Sequence, residues 1–76
     1  MTTYHPISCD RHSRYELLVM HGTRHQWHYQ DAQGLENITH GVAIDLITHH
    51  KEEFILIQKD DHSTVTIRLD RITRYQ

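Results

Sequence analysis

The apolar residues of this chain follow two different rhythms. Tyr15, Leu18 and Val19 recur at helical spacing, with Leu17 and Met20 widening the face. Start and stop signals frame them. Asp10 is a good N-cap, Ser13 with Glu16 three residues on fits a capping box, and Gly22 suits the left-handed residue that ends a helix. The spacing predicts a short helix over residues 11–21, with a strand as the alternative because Tyr15 to Met20 is nearly continuously apolar. Before it, Pro6 holds Tyr4 to Ser8 extended.

From Thr23 the period falls to two. His25, Trp27 and Tyr29 alternate with Gln26, His28 and Gln30, and Asp31-Ala32-Gln33-Gly34 marks a turn. Ile38, His40, Val42, Ile44 and Leu46 form a long second strand in which Gly41 suggests a bend or bulge. After the polar turn at residues 49–53, Phe54-Ile55-Leu56-Ile57 reads as a strand buried on both faces. A second polar turn over residues 59–63 leads to Val65, Ile67 and Leu69, and Ile72 falls out of phase, so the last strand bends near Asp70-Arg71. One helix followed by four or five short, bent strands is the outline of a mostly β domain spanning residues 1–76. Strands of this kind close best into a small antiparallel barrel, which removes exposed edges. An Sm-like barrel fits, with an OB-like one as the alternative.

Composition narrows the class. At 76 residues the chain is one domain that buries only about 60% of its unfolded surface, so each core residue matters. A single cysteine allows no intrachain disulfide, which points to a reducing cytoplasm. No apolar run approaches the ~20 residues that span a bilayer, and no secretory signal pattern is present. Asn37-Ile38-Thr39 therefore reads as a chance glycosylation match. The formal net charge of −2 gives little steering toward nucleic acid, although nine histidines make the charge pH-sensitive.

Candidate chemistry is sparse. Cys9, just before a helix start and near Arg11 and His12, has the setting of a reactive thiol, but a lone cysteine is more often a small buried hydrophobe. His21, His25 and His28 have metal-like spacing, yet Gly22 interrupts the helix between the first two, and His25 and His28 face opposite sides of a strand. The histidines read as solvated surface, with no metal or other cofactor expected. Arg24, Trp27 and Tyr29 could form a stacking platform for single-stranded RNA, helped by Arg68, Arg71 and Arg74. Six arginines and two lysines face ten acids, however, with no basic run of five. Trp27 and Tyr29 therefore read as core, and direct nucleic-acid binding is not expected. No activated nucleophile or paired carboxylate suggests an enzyme.

Tyr4-His5-Pro6-Ile7-Ser8-Cys9-Asp10 resembles the Tyr-x-Pro-Ile-x-Cys-Asp opening of the Rho-binding antiterminator (Rof) family. Glu16-Leu17, Asp45-Leu46-Ile47 with Glu53-Phe54-Ile55-Leu56-Ile57, and Leu69-Asp70-Arg71-Ile72 continue the similarity in order. The resemblance implies an N-terminal helix on an Sm-like barrel and a non-enzymatic inhibitor of Rho-dependent transcription termination. Such a protein binds the N-terminal RNA-binding domain of Rho and blocks RNA access to its primary sites. It also implies a monomer, although Sm-like barrels often form rings. By position it places the partner contact at Asp10, His12, Ser13, Arg14 and Glu16, with Lys51, Glu52 and Glu53 as loop candidates. The sequence departs from the family where Arg11-His12-Ser13-Arg14 stands in place of acids. The alternative is an Sm-like single-stranded RNA-binding module.

Overall fold

In a computed structural model, which describes residues 5–76, one helix precedes five strands. Helix α1 spans Cys9–His21. It is followed by β1 (Arg24–Gln30), β2 (Glu36–His49), β3 (Glu52–Lys59), β4 (Thr64–Arg68), a 3-10 turn at Leu69–Arg71, and β5 (Ile72–Tyr75). All pairings are antiparallel, in the order β4-β3-β2-β1-β5. The consecutive strands β4 and β5 thus sit at opposite edges. A flat five-stranded sheet would hold those edges about 19 Å apart, whereas a three-residue 3-10 turn advances only about 6 Å. The sheet must therefore curl until its edges approach. The result is the small β barrel with an N-terminal helix expected from the sequence, of the Sm-like or OB-like kind. The predicted extended start at Tyr4 lies outside the described residues. Among those described, no helix is long and apolar enough to cross a membrane.

The core follows the alternation. Trp27, Ala43, Ile55, Ile57, Ile67, Leu69 and Ile72 are buried, and Tyr15 from the helix joins them. Trp27 is fully buried, and its indole N–H donates to the Gly41 carbonyl at 3.2 Å. Three details differ from the sequence reading. The bulge in β2 lies between Ala43 and Asp45, not at Gly41. Gly41 is required for another reason: a Cβ there would run into the Gln58 carbonyl and come within 2.8 Å of the Ile57 Cγ2, because β3 crosses closely at this point. In β3 only Ile55 and Ile57 are fully buried, and Phe54 and Leu56 are half-buried. The expected bend near Asp70-Arg71 is a true break, at which the chain leaves one sheet edge for the other.

The β2–β3 hairpin is closed by the two residues His50 and Lys51, with φ of 50° and 65°. Paired positive φ values match the right-handed strand twist, the role that Asn-Gly usually fills. The β1–β2 turn is organised by Asp31, whose Oδ1 accepts from the backbone N–H groups of Gln33 (2.9 Å) and Leu35 (3.0 Å), and whose Oδ2 accepts from the Asn37 amide (3.1 Å). The Leu35 N–H above all, then Asn37, Gln33 and the charge of Arg71, hold this carboxyl below its usual range. Asp60, paired with Arg24, and Asp61, bonded to Ser63, are shifted the same way. Because the folded values are depressed, this stability is present above the ordinary carboxylate value of about 3.9 and is lost as pH falls through the lowered values. The melting temperature is expected to fall below about pH 4. Asp31→Asn should flatten that acid limb, and an unchanged acid slope in the variant would contradict this assignment.

Candidate interaction site on the N-terminal helix

The helix begins two residues earlier than the sequence signals suggested. Ser8 is its N-cap, with extended backbone and an Oγ that accepts from the Arg11 N–H at 3.3 Å. Neither Asp10 nor Ser13 caps it. Asp10 lies in the first helical turn, where a carboxylate is favoured by the helix dipole, and its side chain is exposed. Capping and partner contact therefore do not compete at Asp10. Cys9 is exposed and not the small buried hydrophobe that a lone cysteine more often is, whereas Ile7 is half-buried against the core.

A second fixing point sits under the start of the helix. Asp70 takes a two-pronged interaction from the buried Arg68, with Nε to Oδ1 at 2.6 Å and Nη2 to Oδ2 at 3.1 Å. Its Oδ2 also accepts from the His5 backbone N–H at 2.9 Å. The 3-10 turn thus ties down the extended segment that feeds α1.

Around the helix, Tyr15 enters the core, and Leu18 and Val19 pack against it. The flanks differ in charge. On the β3 side, His12 Nδ1 lies 2.7 Å from Glu16 Oε1, and His12 Nε2 lies 2.8 Å from Glu53 Oε2, an oxygen with no other partner among the described residues. Only a doubly protonated imidazole can offer an N–H to both carboxylates. On the β5 side, Arg11 Nη2 donates to the Tyr15 hydroxyl at 3.1 Å and to the Ile72 carbonyl at 3.3 Å. Arg11, Arg14 and Arg74 line the groove between α1 and β5.

The structure brings His12, Glu16 and Glu53 together and leaves Asp10, Ser13 and Arg14 exposed on the same helix. Glu52 and Glu53 belong to β3 rather than to a turn tip, so the reading of residues 51–53 as a solvated loop holds only for Lys51. Glu52 approaches the buried Arg68 at 3.8 Å. The histidines are not uniformly surface residues either: His28 is buried beside Gln26 and Glu36. Among the described residues, no group of three or more His, Cys, Asp or Glu side chains is placed to hold a metal ion. The Trp27 platform is ruled out by geometry, since a fully buried indole cannot stack on a base.

Sequence reasoning missed the Arg68–Asp70 fork, the Ser8 cap and the arginine groove. Ser8 was one of three cap-type residues within six positions. The groove joins residues about sixty positions apart, which no scan for basic runs detects.

No family model and no curated protein matches this chain. Among solved structures it is similar to proteasome accessory factor B/C (PafBC) of Arthrobacter aurescens, with a TM-score of 0.76 at 10% sequence identity. The match covers 97% of this chain and 12% of that one, so this chain spans about an eighth of its neighbour's length. At this identity the likeness shows the fold alone.

Proposed function

We propose that this protein is a non-enzymatic inhibitor of Rho-dependent transcription termination, acting in the cytoplasm as a monomer. It binds the N-terminal RNA-binding domain of Rho through the exposed face of α1 and blocks RNA from the primary sites. The reading rests on the ordered resemblance to the Rho-binding antiterminator family. The observation that most supports it is the placement of the Pro-Ile-x-Cys-Asp block. That block forms the pinned entry and first turn of α1, which leaves Asp10 and Glu16 outside the core.

The charge arrangement bears on the departure from the family pattern. Arg11 is drawn inward by Tyr15 and Ile72, and Arg14 borders the groove beside β5. Glu16 and Glu53 keep an acidic strip on the β3 side. Two of the cations that replace acids thus lie apart from the carboxylates that could complement a basic RNA-binding surface.

The test is Asp10→Arg combined with Glu16→Arg. Neither residue caps the helix, so the fold should survive, with a cost of roughly 0.3–1 kcal/mol from the helix dipole and the lost His12 contact. Binding to Rho is expected to weaken at least tenfold. Full affinity in the folded double variant would place the interface elsewhere.

A further inference from the structure

The groove between α1 and β5 is set apart by its charge. It measures about 350 Å³ and is lined by Arg11, Arg14, Tyr15, Ile72, Thr73, Arg74 and Tyr75, without an acid. Among the described residues, none of its three guanidiniums has a carboxylate within ion-pair distance, while Arg24 and Arg68 elsewhere do. Three arginines converge in a chain whose net charge is −2. Like charges gathered without counter-charges raise a local positive potential that favours an anion.

Arg11 is held in place for this role. Both of its bonds, to the Tyr15 hydroxyl and the Ile72 carbonyl, use Nη2. A guanidinium has five N–H donors in a fixed fork, so Nε and Nη1 remain for a ligand. Arg14 and Arg74 are exposed. Tyr75 forms a firm aromatic wall, its ring centroid 5.5 Å from that of Trp27 and 6.0 Å from that of Tyr15. The volume lies at the small end of the ~300–1,000 Å³ usual for ligand sites. Guanidiniums gathered beside an aromatic ring match the phosphates and unstacked bases of a flexible single strand.

We infer that the α1–β5 groove binds the phosphodiester backbone of a single-stranded nucleic acid, through Arg11, Arg14 and Arg74. The groove shares Arg14 with the α1 face proposed to meet Rho, but its test uses RNA alone with no Rho present, so its failure would leave the Rho-binding reading untouched.

The probe is a fluorescein-labelled twelve-residue oligouridine, titrated with the intact protein between 50 and 200 mM salt. Three neutralised phosphates give a slope of log affinity against log salt of about −2, since each contributes about −0.7 on single strands. Arg14→Ala with Arg74→Ala should lower affinity at least tenfold and bring the slope to about −0.7. Both residues are exposed and unpaired in the ion-pair sense, so the circular dichroism spectrum should be unchanged; Lys59→Ala, which removes a charge outside the groove, should bind as the parent does. Absent binding, or an unchanged salt slope in the arginine double variant, would overturn the proposal. Uridine monophosphate binding as tightly as the strand would replace it with a free-nucleotide site. A heptaglutamate peptide binding equally well would replace phosphate with carboxylate.

Discussion

Trp27→Ala is expected to lower the free energy of unfolding by about 3–5 kcal/mol, the usual cost of removing a fully buried large aromatic. The indole is the largest fully buried side chain, and it touches more than the barrel interior. Its N–H satisfies the Gly41 carbonyl where β2 and β3 cross closely. Its ring also supports Tyr75 and His25. A domain of this size has a total stability of about 4–11 kcal/mol, so the substitution removes a large part of it. Urea unfolding followed by circular dichroism reads this directly. A variant within about 1 kcal/mol of the parent would contradict the placement of Trp27 in the core. The expectation also means that lost ligand binding in Trp27→Ala would report unfolding, not base stacking.

The second large effect is expected at Asp70. Asp70→Ala removes the two-pronged acceptor of a guanidinium that is almost wholly buried, and it frees the His5 N–H at the same time. Breaking one side of a buried ion pair costs about 3–5 kcal/mol, far more than an exposed pair contributes. By contrast, the Arg24–Asp60 pair is just as short but more than half exposed, and Asp60→Ala should cost far less than Asp70→Ala. The comparison decides between burial and mere geometry as the source of the effect. Equal losses in the two variants, measured by the same urea titration, would show that burial adds nothing.

The two substitutions mark where the sequence was readable and where it was not. The barrel strands were legible because alternation of Trp27 with its neighbours, and of Val65, Ile67 and Leu69 with theirs, reports directly on which face is buried. Helix α1 was legible through Tyr15, Leu18 and Val19, but its first turn was not. Ser8, Asp10 and Ser13 all have cap chemistry, and only the backbone angles chose Ser8. The break at Leu69–Arg71 showed only as a slip in phase at Ile72, since a change of sheet edge and a bend leave the same trace in the alternation. Asp70 gave no signal of its own, because its partners Arg68 and His5 meet only once β4 and the N-terminal segment are brought together.

The same limit applied to the site. Spacing placed Ser13 and Glu16 on the predicted helix and Asp10 at its start, while their role as contacts came from the family resemblance alone. That His12 would bridge Glu16 to Glu53, and that Arg11 would turn toward Ile72, depended on which strands flank the helix. The run Arg11-His12-Ser13-Arg14 looked like one cationic segment in the sequence. On the helix it divides, with the arginines toward β5 and the histidine toward β3.

The central claim is that α1 presents a surface recognised by the N-terminal domain of Rho. It is tested most directly by titrating that isolated domain with the parent protein and with the folded Asp10→Arg, Glu16→Arg variant, in parallel with an in vitro termination assay. The account predicts saturable binding by the parent with increased readthrough of Rho-dependent terminators, and loss of both in the variant. Absence of binding by the parent, with unchanged termination at saturating protein, would contradict it.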